Sequence, residues 1–167
     1  MQANIMKSAM RSGLILGVLF SVNFLLSIPA NTVTSLLTYV VIAAILVATY
    51  RLSVQIRDNE YGGYIKYGKA FSFILLSFFY AAIISAFVKL IYFQFINTEY
   101  LPNFFNEYML ALESIGYPVD MIEDTMRTLF KPASFSFLSI FANILVGTLV
   151  GLIMSAFVKK EKSIFEE

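Results

Sequence analysis

The chain of 167 residues has no cysteine and no histidine, and only 14% of it is charged. The two missing residue types exclude thiol nucleophiles, disulfides, zinc sites of the Cys/His kind, haem held by His or Cys, and imidazole acid–base chemistry. A carboxylate metal site has only scattered acids to draw on, so no metal and no other cofactor is expected. Repeats of 20–50 residues and low-complexity tracts are also missing. The formal net charge of +1 says little as a total, because the charges are segregated along the chain, and no nucleic-acid partner is expected.

What fills the space left by charge is apolar. Hydrophobic residues make up 59% of the chain and the mean hydropathy is +0.76, outside the usual range of a soluble domain. Four long runs carry most of it, at about 13–28, 32–50, 70–96 and 134–158, and Lys89 is the one charge inside them. A helix needs about 20 mostly apolar residues to cross a hydrocarbon core. A water-facing helix would interrupt such runs to keep a polar face. The expected fold is therefore all-α: one membrane domain over 1–167, built as an integral four-helix bundle. An amphipathic helical hairpin is expected at about 102–131, outside the cytoplasm, between spans three and four. Lys7 and Arg11 ahead of the first run also resemble the start of a signal peptide. Asn31-Thr32 leads straight into another span, so the first run reads as a retained helix.

Basic residues orient the chain. Nine of the twelve lie before span one, between spans two and three, or after span four; only Arg127 and Lys131 lie on the other side. The positive-inside bias then puts both termini and the middle loop of a multi-pass protein in the cytoplasm. The loop 97–133 faces outward.

Small residues mark where helices meet. Ala9, Gly13, Gly17 and Ser21 recur every four residues in span one, as do Ser139, Asn143, Gly147, Gly151 and Ser155 in span four. Residues four apart share a helix face, so each stripe is a shallow groove for another backbone. Span three has a weaker stripe, Ser77, Ala81 and Ser85, with Lys89 next on it. The matching depth of the two glycine pairs predicts that spans one and four pack on each other. Asn23 and Asn143 would cost free energy in lipid unless paired, so both are expected to face other helices. Lys89 lies about 10 Å by helical rise from Ile96 and can snorkel outward. No acidic partner for it occurs in any span, and a cation-coupled transporter usually needs one.

The two polar loops differ. The middle loop carries Arg51, Arg57, Lys66 and Lys69 among Tyr50, Tyr61, Tyr64 and Tyr67, with a turn at Asn59–Gly63. Tyrosines suit the headgroup level, and Arg57, Lys66 and Lys69 are candidate contacts for anionic lipid phosphate. Gly62-Gly63 lacks the GK[ST] and preceding strand of a phosphate loop. In the outer loop Phe104, Phe105, Tyr108, Met109 and Leu112 recur at helical spacing, as do Met121 or Ile122, Met126, Leu129 and Phe130. Gly116-Tyr117-Pro118 separates the two helices and Pro132 ends the second. Asp120, Glu123 and Asp124 have no EF-hand-like loop around them.

Ile56-Arg57-Asp58, Gly62-Gly63-Tyr64-Ile65 and Tyr67-Gly68-Lys69-Ala70-Phe71 resemble the middle loop of a bacterial membrane family known as domain of unknown function 4199. The segment Tyr92-Phe93-Gln94-Phe95-Ile96-Asn97-Thr98-Glu99-Tyr100-Leu101 is similar to that family's exit from its third span. So are the outer hairpin and the short basic tail after Gly151. The resemblance covers nearly the whole chain and implies a four-span inner-membrane protein with this orientation. It brings no activity, ligand or catalytic residue.

Three classes of function compete. A non-catalytic accessory or assembly subunit of a larger membrane protein, such as an envelope-biogenesis or glycosyltransferase-type enzyme, fits the grooved helices and the lack of a catalytic constellation. A small transporter or channel acting as a homo-oligomer would use Asn23, Asn143 and Lys89 as its lining. A lipid-modifying or lipid-binding protein comes third, since no nucleophile, base or metal cluster stands out. The lipid bilayer itself is a partner in all three.

Overall fold

The computed structural model describes residues 4–29 and 31–161. Lys162, one of the basic residues counted after span four, lies outside the described residues. Among the described residues six α-helices follow one another: α1 (Ile5–Ser27), α2 (Thr32–Glu60), α3 (Tyr67–Ile91), α4 (Tyr100–Ser114), α5 (Glu123–Leu129) and α6 (Pro132–Val158). A π turn, Tyr92–Ile96, prolongs α3, and a 3-10 turn, Val119–Met121, precedes α5. Four helices are long and apolar enough to cross a membrane: α1, α2, α3 with its π turn, and α6. The chain is thus an all-α membrane protein.

Local chemistry sets where the first helices begin. The Asn4 side chain accepts from the Lys7 N–H at 3.3 Å and the Asn31 side chain from the Thr34 N–H at 2.9 Å, each an N-terminal cap. The helix α1 therefore starts well before the apolar run does, and Ser8, Ala9 and Ser12 are already buried. The helix α2 likewise outlasts its apolar run by ten residues, to Glu60. Ser53 and Ile56 keep facing the core there, so the stretch expected as loop stays helical.

Two compact units divide the chain, one running to Ser85 and resuming at Phe141, the other spanning Ala86–Ile140. In the first, α3 is central. Of its most apolar stretch 44% is buried, against 11% for α2 and for α6. Leu16 and Phe20 of α1, Ile45 and Ile56 of α2, and Phe73, Ile74 and Phe78 of α3 form one core, with Val150 and Met154 of α6 against it. The Phe20 and Phe78 rings meet edge to face at 5.3 Å between centroids.

The small-residue stripes are packing faces, but not for each other. A Cβ added at Gly13 would lie 2.5 Å from Tyr80 Cβ and 2.9 Å from the Ser77 carbonyl oxygen. At Gly17 it would meet Ile84 at 2.9 Å. At Gly147 it would lie 2.6 Å from Phe78 Cβ, and at Gly151 it would lie 3.1 Å from the Phe71 ring. All four neighbours are on α3. The expected pairing of spans one and four through their glycines is corrected: each groove takes α3. Side chains on two flanks of α3 fill both grooves.

Several buried hydroxyls are satisfied within their own helices, whereas those of Ser136 and Ser155 have no hydrogen-bond partner among the described residues. Ser21 donates to the Gly17 carbonyl at 2.8 Å, Thr49 to Ile45 at 2.7 Å, Ser53 to Thr49 at 2.7 Å and Ser77 to Phe73 at 2.8 Å. Such back-bonding lets a hydroxyl sit in an apolar bundle without water.

The second unit is organised by aromatics. Phe93, on the π turn, is buried between Tyr100, stacked at 5.5 Å, and Phe135, edge-on at 5.6 Å. Phe104 and Phe105 of α4 reach the Phe130 ring at 5.6 and 5.7 Å. The second outer helix is shorter than its spacing suggested, a 3-10 turn followed by seven residues, and Pro132 opens α6 rather than only closing α5. Proline at a first helical position loses no hydrogen bond.

Candidate functional site

The helix α2 ends where the chain enters the left-handed region at Gly62 (φ 64°) and Gly63 (φ 87°), positions that a side chain would strain. This reversal returns the chain along the end of α6. The Ile65 N–H donates to the Lys160 carbonyl at 3.0 Å and the Lys160 N–H to the Ile65 carbonyl at 3.1 Å, a single antiparallel bridge. Ile65, Ala70 and Val158 close a small apolar cluster beneath it. The Tyr67 hydroxyl donates to the Leu152 carbonyl at 2.9 Å.

These contacts bring Lys66 and Lys69 together with Lys160 around a cleft of about 670 Å³, with Tyr61, Gly62, Tyr64, Ile65 and Glu161 completing its wall. The Lys69 ammonium lies 5.1 Å from the centre of the Tyr61 ring, and that of Lys160 lies 5.5 Å from the Tyr64 ring. Cation–π contacts of this kind hold an ammonium without neutralising it. Burial, reinforced by the Glu60 charge, pushes the Tyr61 phenol above its ordinary pKa, so it stays neutral.

Arg57 is placed differently from the two lysines expected beside it. Its Nε and Nη2 donate to the Asp58 carboxylate at 2.8 and 3.3 Å, and its Nη1 to the Val158 carbonyl at 3.2 Å. It therefore secures one of the last carbonyls of α6, which lacks a helical donor. We expect Arg57→Gln to lower stability by about 1 kcal/mol. Amide exchange at Lys160 should accelerate while the amides of α3 stay protected; unchanged exchange at Lys160 would refute the role.

The other expected positions are scattered. Asn23 is half-buried, and its amide oxygen has no hydrogen-bond partner. Asn143 and Lys89 are half-buried. Ser21 and Ser155 are buried on the packing faces of α1 and α6. Two further clefts flank α2. Between α1 and α2, Ser8, Arg11, Ser12 and Gln55 line about 320 Å³, and the Ser8 hydroxyl lies 2.6 and 2.7 Å from the two Glu60 carboxylate oxygens. Between α2 and α6, an apolar groove of about 700 Å³ is lined by Leu46, Val47, Leu149, Ile153 and Phe157, among others, with Tyr50 and Arg51 at its edge. Asn23, Asn143 and Lys89 line none of the three. Among the described residues no three of His, Cys, Asp or Glu are grouped to hold a metal ion.

Sequence reasoning overlooked Lys160 and Glu161 as part of the cleft. The tail lysines signalled only orientation, and one bridge across nearly a hundred residues leaves no local trace. Comparison with known proteins adds a family and nothing finer. No curated protein and no solved structure matches the chain. A family profile described as protein of unknown function (DUF4199) matches residues 11–160, and the chain belongs to that family.

Proposed function

We propose that this small membrane protein is a non-catalytic accessory or assembly subunit that works by contact with a larger membrane protein. Its basic end faces the cytoplasm of a bacterial inner membrane, and residues 97–133 lie outside. The sparse cover on α2 and α6 carries the reading: only 11% of each apolar stretch is buried, and an unfilled groove runs between them. Lipid tails are as apolar as leucine, so helices associate in a membrane by fit rather than by escape from water. A grooved pair of helices is a surface on which fit can be built. Asn23, Asn143 and Lys89, the residues a transport path would use, line none of the three clefts described above.

Purification from the native host in a mild detergent should recover a stoichiometric larger membrane protein. Trp substitutions at Leu46 and Ile153, which fill the groove from both sides, should cut that recovery about tenfold, or ~1.4 kcal/mol. Thermal unfolding of the isolated protein should be unchanged. Recovery of a lone protomer, or of a homo-oligomer whose mass excludes any other chain, would overturn the accessory role.

A further inference from the structure

We propose that the cleft between the middle loop and the tail binds the phosphate of an anionic phospholipid headgroup. This stands independently of the accessory role.

Charge is the first argument. Lys66, Lys69 and Lys160 line one cleft against a single carboxylate, Glu161. The ion pairs among the described residues are Arg57–Asp58 and Arg127–Glu123, so none of the three lysines is in one. Asp58, which lies close enough to feel Lys160, has its carboxylate engaged by Arg57 at 2.8 Å. The Tyr61 and Tyr64 rings steady two of the ammoniums and leave their charge available. A set of ammoniums lining one cleft outside any ion pair is a site for a phosphate, which Lys meets as a point charge.

Depth selects a lipid as its source. The Tyr67–Leu152 hydrogen bond and the Ile65–Lys160 bridge place the cleft against the last two turns of α6, where the apolar run gives way to Lys159 and Lys160. The headgroup zone occupies about 5–7 Å on each side of the hydrocarbon core. A cleft at that level opens among phosphates already held at the surface. Its two tyrosines, Tyr61 and Tyr64, are of the type enriched there. About 670 Å³ leaves room for a glycerophosphate group with its waters.

The test uses the full-length protein in mixed micelles, titrated with dioleoyl phosphatidylglycerol, dioleoyl phosphatidylcholine or inorganic phosphate and read by native mass spectrometry. One phosphatidylglycerol should be retained per protomer, in clear preference to phosphatidylcholine. Each lysine changed to Gln should weaken retention about fivefold, and the K66Q/K69Q/K160Q variant about a hundredfold. Lys159→Gln, outside the cleft, should leave it unchanged. Lys69→Gln alone, with its thermal unfolding checked, keeps the test decisive where the triple variant does not purify. Equal retention of both lipids, or a Lys69→Gln protein that binds as tightly as the parent, would overturn the site. Inorganic phosphate competing at the concentration of the lipid would show a site for free phosphate and overturn the lipid assignment.

Discussion

Replacing Gly13 by Ala should destabilise the protein by about 2 kcal/mol, equivalent to roughly 6 °C in a melt of the detergent-solubilised chain. The added carbon would sit 2.5 Å from Tyr80 Cβ and 2.9 Å from the Ser77 carbonyl oxygen, both atoms fixed to the α3 backbone. Neither can swing aside, so the helices must separate, and separation forfeits the dispersion contacts that hold α1 to α3 in an apolar solvent. Gly147→Ala should act similarly, because its neighbour at 2.6 Å is Phe78 Cβ, again next to the backbone. Gly151→Ala should cost clearly less, since the nearest atom is the Phe71 ring at 3.1 Å, which can tilt. Gly68→Ala is the control. Nothing lies within 4 Å of a Cβ there, and a helical glycine replaced by alanine is neutral or gains up to about 1 kcal/mol. Melts that rank all four variants alike would show that the α3 interface does not set stability.

That series also separates what the sequence carries from what it does not. Spacing by four identified the faces: Ala9, Gly13, Gly17 and Ser21 are all buried, as are Gly147, Gly151 and Ser155. It could not say which helix fills them. A small-residue groove records that something comes close and bears no address, so two grooves at equal depth looked like a pair. The filling side chains, Phe71, Ile74, Phe78, Tyr80 and Ile84, sat unmarked within a run that is apolar all round. The four spans were legible because the chain must satisfy its backbone internally wherever water is absent, and helices do so with a recognisable length.

The candidate cleft was half legible for a related reason. Lys66 and Lys69 stand out as charges at the head of a span. Arg57 looked equivalent to them by type and position, yet its neighbour Asp58 and the end of α6 take up its donors. Lys160 enters through two backbone hydrogen bonds to Ile65, which depend on no side-chain pattern. Local charge thus reports candidates for a site, while the long-range backbone pairing decides which of them share it.

Phe93→Ala should have the second large effect, about 3 kcal/mol, and it should be confined to the unit spanning Ala86–Ile140. Phe93 is 2% exposed, and its ring is flanked by Tyr92, Tyr100 and Phe135. The π turn contributes to that placement: a widened turn, closed by the Asn97 N–H on the Tyr92 carbonyl at 2.9 Å, rotates the residues after Ile91 relative to a regular helix. Removing the ring opens a cavity between the start of α4 and the start of α6, whose own aromatics meet again at Phe130. Amides of α4 and α5 should then exchange faster, and limited proteolysis should cut within 97–131. The amides of α1 and of α3 before Ser85 should keep their protection, because the core around Leu16, Phe73 and Phe78 does not include Phe93. Phe93→Leu should recover much of the loss by restoring apolar volume without the stacking on Tyr100. Exchange that accelerates uniformly along the chain would show that the two units unfold as one, and the aromatic cluster would then be part of a single cooperative core rather than the organiser of its own.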